Sequence, residues 1–172
     1  MIILGVDPGL RCTGYGGISI QGPSPEIVEA GVVRTTNGSE LGERLDELSE
    51  GLSRVMDSIA PEVMVVESLY SHYNHPRTAI MMGHARGVII LAASQRGVPI
   101  IDYPATRIKK SLTGGGRATK EQMQRTIASV LKMEKVPEPA DVADALAVAL
   151  CHVNVVRHGF SKRAYAGGGS RV

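Results

Sequence analysis

The order of elements read from the sequence, β-β-β-α-β-α-β-α-α, predicts an α/β fold built on a five-stranded mixed sheet with helices on both faces. Three observations carry this reading. Three strand-like runs follow one another at the start with only turn chemistry between them, so they form an antiparallel meander. The rest of the chain alternates helical segments with two short strands, the first of them apolar on both faces, as parallel strands under helices are. Acidic residues close two strands and open the last helix, where sheets of this class place their sites. The layout is that of an RNase H-like fold.

The elements follow in order. "IILGVD" reads as a buried strand. "TGYGGISI" and "PEIVEAGVVRTT" read as two more, joined by the turn residues of "QGPSP". In "SELGERLDELSEGLSRVMDSIAP", Leu41, Leu45, Leu48, Leu52, Val55, Met56 and Ile59 recur at helical spacing and Pro61 marks the stop. "EVMVVES" is the fourth strand. "HPRTAIMMGHARGVIILAASQRG" is a helix with Pro76 near its first position and Gly97 at its end. "VPIIDYP" is the fifth strand, and a short helix from Arg107 to Leu112 precedes a glycine loop. "TKEQMQRTIASVLKM" opens with a capping box of Thr119 and Gln122. "PADVADALAVALCHVNVV" is the final helix. The expected organisation is one RNase H-like domain over residues 1–157 and a Gly-rich, basic tail over 158–172 that is disordered.

At 172 residues, 43% hydrophobic and 21% charged, the chain has the composition of a folded domain with a real core. It has no apolar run near the ~20 residues of a membrane span and no secretory pattern at its start. Cys12 and Cys151 make neither a disulfide framework nor a zinc spacing. A cytoplasmic protein with reduced packing thiols and no membrane partner is expected. The net charge of +2 predicts no partner, but its distribution does. Between Ser39 and Glu67 the acids Glu40, Glu43, Asp46, Glu47, Glu50, Asp57, Glu62 and Glu67 face only Arg44 and Arg54. Between Arg107 and Arg125 the balance reverses around "TGGGRATK", a glycine loop suited to backbone approach to phosphate.

Four carboxylates stand out by position. Asp7 ends the first strand, Glu67 ends the fourth, and Asp141 and Asp144 share one face of the last helix. Each has an ordinary explanation alone: turn chemistry at "DPG", a strand-end charge, or acids complementing a helix dipole. Together they read differently, because the predicted sheet order sets the first and fourth strands side by side. Two unit charges ~4 Å apart repel by about 4 kcal/mol at an effective dielectric near 20. Such a cluster takes up protons or divalent cations. All-oxygen donors select hard ions such as Mg²⁺, with Mn²⁺ able to substitute. Two such ions would activate a water and stabilise the leaving oxygen of a phosphodiester.

Lys109, Lys110 and Lys120 lie in the basic segment before the last helix, Lys110 reading more readily as an exposed helix lysine. Arg117 in the glycine loop and Arg77 at the start of the second helix join them as candidate DNA contacts, by charge, to phosphate. Tyr70 lies in "SLYSHYNHPRT", a Tyr- and His-rich stretch in a chain with 3% aromatics. It either stacks on an exposed base or is a half-buried loop tyrosine. His72, His75 and His84 make no convincing metal set.

The blocks "GVDPGLRCTGYG", "VVES", "GHARGVIILAA", "KKSLTGGGRATKEQ" and "PADVADALAVALCH" resemble, in order and at about the expected intervals, the RuvC Holliday-junction resolvases of bacteria. The resemblance covers Met1 to about His152. It implies that Asp7, Glu67, Asp141 and Asp144 are metal-binding catalytic acids and that Lys109 and Lys120 support phosphate binding and catalysis. Tyr70 falls where members usually carry a phenylalanine that acts at the junction crossover. The loop from Ser71 to Thr78 is about one residue longer than the usual pattern. A homodimer cutting two opposed strands of a four-way junction is implied, working with the RuvA–RuvB branch-migration complex. The outcome expected is symmetric nicking with two Mg²⁺ per site, Asp7 shared between them, during recombination and repair. The helix from Arg77 to Arg96 is more apolar around its circumference than one sheet face requires, which suits a two-fold partner or deep burial.

Two other readings fit parts of the sequence. An actin-like or sugar-kinase ATPase also opens with a strand, an acid and a glycine-rich hairpin, but needs a second domain and a second phosphate hairpin. A non-cleaving module for branched DNA would be favoured by loss of one acid, and all four are present.

Overall fold

The computed structural model describes residues 1–68 and 76–157. The reading of Tyr70, His72 and His75 and that of the 158–172 tail lie outside these residues.

The sheet has five strands in the order β3-β2-β1-β4-β5. They are β1 (Ile2–Asp7), β2 (Cys12–Ser19), β3 (Glu26–Arg34), β4 (Val63–Glu67) and β5 (Ile100–Tyr103). The first three form the antiparallel meander, while β4 pairs parallel with both β1 and β5. The helices are α1 (Leu41–Ile59), α2 (Pro76–Gln95), α3 (Ala105–Thr113), α4 (Lys120–Val130) and α5 (Ala140–Arg157).

Strand alternation sorts the core into two layers. Ile3, Val63 and Val65 pack with α3, α4 and α5 on one face. Leu4, Val6, Met64 and Val66 pack with α1 and α2 on the other. In α1 the apolar stripe does as its spacing predicts: Leu48, Leu52, Val55, Met56 and Ile59 are buried. The helix closes on Ala60 at φ 48°, just before Pro61. Arg96 ties α2 to α1 through two bonds to Asp57, at 2.8 and 3.2 Å.

The predicted third helix is short by two residues at its start: α3 begins at Ala105, because Pro104 holds an extended backbone at its N-cap and turns the chain directly out of β5. It ends where Gly114 takes φ 76°. Both halves of the Thr119–Gln122 capping box form at the start of α4. The last helix, α5, is apolar nearly all round because it lies between the sheet and α3 and α4; twelve of its residues are buried. Among the described residues no helix is long and apolar enough to cross a membrane.

Candidate active site

Parity and register bring the acids together. The odd residues of β1 and β4 face α5, so Asp7 and Glu67 extend the rows of Ile3 and of Val63 and Val65 onto that face. The last parallel pair, Val6 with Val66, sets the two strand ends level. On the other side of β1, Asp7 pairs with Gly14. A Cβ on Gly14 would lie 2.0 Å from the carbonyl oxygen of Asp141, and one on Gly5 would lie 2.1 Å from that of Ala145. These two glycines let the start of α5 settle onto the strands, and Asp144 follows Asp141 one turn along the same helix face.

The loop behind Asp7 is fixed from within. Thr13 is fully buried, and its hydroxyl donates to the carbonyl of Gly9 at 2.6 Å. The Leu10 carbonyl accepts from Thr35 Oγ1 at 2.7 Å and from Arg44 Nη2 at 3.1 Å. The Cys12 thiol donates to Asp141 Oδ2 at 3.5 Å, and burial beside that carboxylate raises its pKa.

The electrostatics follow from the crowding. Burial, then Asp144, Glu67 and Asp141, push the Asp7 carboxyl from 3.8 up to about 7, with Lys120 opposing. Glu67 is raised by burial and by Asp144 and is held down by Lys109. Lys120 Nζ sits 3.4 Å from Asp144 Oδ2. Of the sequence candidates, Asp7, Glu67, Asp141, Asp144, Lys109 and Lys120 are therefore brought together. Lys110 and Arg77 are exposed on α3 and on the first turn of α2. Arg117 lies apart, with Arg125, along a groove of about 670 Å³ between α3 and α4.

Among the described residues, no three His, Cys, Asp or Glu side chains stand close enough together to hold a metal ion as they are. The donor set nonetheless fits hard divalent ions. Its members are oxygen ligands, their mutual repulsion raises Asp7 and Glu67, and added positive charge would relieve it.

Sequence reasoning missed Arg86. Its guanidinium donates to the Glu67 carbonyl oxygen at 2.8 Å and pairs with the Asp102 carboxylate. One of its acceptors is a backbone atom, which leaves no trace in the residue pattern.

The sequence model of "Crossover junction endodeoxyribonuclease RuvC" matches residues 3–152. A protein of that name from Rhodopirellula baltica is 54% identical over 149 residues, covering 87% of this chain and 84% of the relative. Another from Petrotoga mobilis is 42% identical over 165 residues, covering 96% of this chain and all of the relative. Thermus thermophilus RuvC, solved in complex with a Holliday junction substrate, superposes with a TM-score of 0.86 at 30% identity, covering 92% of this chain and 96% of that one. A level pair of strand-end acids, met by two more from a helix seated on glycines, thus stands in a chain that belongs to the RuvC family of crossover junction endodeoxyribonucleases.

Proposed function

We propose that this protein is a structure-selective endodeoxyribonuclease that resolves four-way DNA junctions by paired, metal-dependent nicking in recombination and repair. The observation that carries it is the convergence of Asp7, Glu67, Asp141 and Asp144 from two strand ends and a helix start, beside Lys109 and Lys120. The relatives' shared name and the junction-bound Thermus structure supply the substrate class.

Asp7, Glu67, Asp141 and Asp144 would hold two Mg²⁺ ions, with Mn²⁺ as a substitute. When bound, such ions supply Lewis acidity and water activation for phosphodiester hydrolysis. The chain's own residues do the rest. Asp7 titrates near neutrality when metal-free, so it must shed its proton before it can act as a ligand. Lys120, paired with Asp144 on the exposed side of the cluster, is placed to meet a phosphate oxygen and the charge that develops on it. Lys109, whose charge already lowers Glu67, supports the same phosphate. Lys110, Arg117, Arg77 and Tyr70 are proposed as outer DNA contacts, by charge or stacking, and carry no chemistry.

A homodimer is part of this reading. The outer side of α2 leaves Ile80 60% and Leu91 56% exposed. Gly83 and Gly87 lie at helical spacing between them, with no neighbour within 4 Å of a Cβ built there. A second copy would cover that face. The working partner proposed is the RuvA–RuvB branch-migration complex, and the proposed extent of the nuclease domain is residues 1–157.

The test is one assay: purified protein with a labelled four-way junction and a matched linear duplex, with and without Mg²⁺. Nicks at symmetric positions in the junction alone, dependent on Mg²⁺, support the reading. Junction binding without cleavage in Mg²⁺ or Mn²⁺ contradicts it.

A further inference from the structure

We propose that Arg86 is a positioning residue for Glu67: it clamps the carboxyl end of β4 to β5 from the α2 side and fixes the direction in which the Glu67 side chain enters the acidic cluster. The inference rests on the reading of Glu67 as an active-site acid.

The argument starts from backbone accounting. Glu67 is level with Tyr103 on β5, and Val66 with Val6 on β1. Both flanking strands run into proline one residue further on, Pro8 after Asp7 and Pro104 after Tyr103. Proline has no N–H to give. On the β1 side Pro8 therefore offers the Glu67 carbonyl no N–H, while on the β5 side the ladder runs on, Ser68 N reaching the Tyr103 carbonyl at 2.9 Å. The Glu67 carbonyl takes its hydrogen bond from Arg86 Nη1 instead, at 2.8 Å. The other arm of the guanidinium pairs with Asp102, which stands opposite Val66 in the β4–β5 ladder.

The two faces of the sheet thus act on one residue. From the α5 side Asp144 and Lys109 act on the Glu67 carboxylate. From the α2 side Arg86 grips its carbonyl. The Arg86 side chain is only 13% exposed, and a guanidinium so withdrawn from water is held in one geometry by its two acceptors. Asp144 and Lys109 are the charges that move the Glu67 carboxyl, so the contribution of Arg86 runs through backbone geometry. Lysine at this position keeps the charge but lacks the planar fork that spans both acceptors. The fork, not the charge, is what the site requires.

The test compares wild type, Arg86→Lys, Asp102→Asn and Glu67→Gln. The readouts are Mn²⁺ binding without DNA, followed by the electron paramagnetic resonance of the free ion, junction affinity in Ca²⁺, and single-turnover junction cleavage. Arg86→Lys is expected to weaken Mn²⁺ binding by about 10-fold and slow cleavage by about 10- to 100-fold, with junction affinity changed less than about twofold. Asp102→Asn moves both in the same direction by less. In the Glu67→Gln background, Arg86→Lys adds no further loss of Mn²⁺ affinity, which a merely structural role would not produce. Wild-type Mn²⁺ affinity and cleavage in Arg86→Lys, or an additive loss in the double variant, overturns the inference. If Arg86→Lys does not fold, unchanged Mn²⁺ binding and cleavage in Asp102→Asn overturns it. A wild type that neither binds Mn²⁺ nor cleaves the junction overturns the nuclease reading itself, which is a different result from a wild type that cleaves beside an unaffected variant.

Discussion

Gly14 lies so close to Asp141 that a single methyl group on it would sit 2.0 Å from the Asp141 carbonyl oxygen and 3.0 Å from its Cβ. The glycine is opposite Asp7 in the β1–β2 ladder, so the approach that it permits is the one that carries two helix acids to a strand acid. Gly14→Ala is expected to push the start of α5 off the sheet, to cost about 1–3 kcal/mol as overpacking does, and to cut cleavage more than stability explains. Gly42→Ala is the control. A Cβ on Gly42 meets nothing within 4 Å, so its melting temperature should hold or rise slightly. Denaturant melts and cleavage rates of the two variants check this.

Asp7→Asn should retain junction binding and lose cleavage. Losing a direct ligand should exceed the ~10- to 100-fold that outer partners of a metal site typically contribute. Gel-shift affinity in Ca²⁺ beside cleavage in Mg²⁺ measures both. A variant cutting at near-normal rate in Mg²⁺ removes the central assignment.

The same carboxyl predicts how metal-free stability depends on pH. Its folded pKa, about 7, lies above its ordinary value of 3.8, so the fold binds this proton more tightly than the unfolded chain does. That contribution is fully present below about 3.8 and is lost as pH rises through about 7. The upper bound is about 4 kcal/mol, and solvent screening at a partly open site brings it to roughly 1–2 kcal/mol. In EDTA, Asp7→Asn should therefore melt above wild type at pH 8, and the gap should close toward pH 4. Adding Mg²⁺ at pH 8 should raise the wild type and leave the variant nearly unmoved. Equal melting curves in EDTA at both pH values would count against the crowding of the acids.

Lys120 and Asp144 are 58% and 45% exposed, so their ion pair adds little to stability, about 0–1 kcal/mol. Lys120→Ala should leave the melting temperature within about 2 °C while slowing cleavage by about 10-fold or more. An unchanged single-turnover rate sinks the role assigned to this lysine.

The outer face of α2 gives a prediction about assembly. Leu91→Glu puts a charge on a surface proposed to meet a second copy, and light scattering should report a monomer where wild type is a dimer. A wild type that is monomeric at micromolar concentration contradicts the proposed dimer.

Much of this arrangement was legible in the residues. The run "IILGVD" ends where β1 ends, with Asp7 as its last residue, and "EVMVVES" sets Glu67 at the end of β4. That the two acids share a face depends on the register between the strands, which neither run carries. The meander and the two crossovers gave the strand order, hence the adjacency of β1 and β4. Thr119 and Gln122 announced the start of α4 and so the place of Lys120. What stayed hidden depends on backbone atoms and on absent ones. Arg86 looks like one polar residue in an apolar helix, because its first acceptor is a main-chain carbonyl. Gly5 and Gly14 look like ordinary strand glycines until the carbonyls of α5 are seen against them. The start of α1 is equally silent in the residue pattern, because Glu40 is an unusual N-cap; its backbone N–H is met by the Glu43 carboxylate at 3.3 Å.

The most direct measurement is a crystal structure soaked in Mn²⁺, with anomalous maps computed at the metal edge. The account predicts manganese peaks bounded by the carboxylates of Asp7, Glu67, Asp141 and Asp144. Side chains diverging around that point with no anomalous density between them would contradict it.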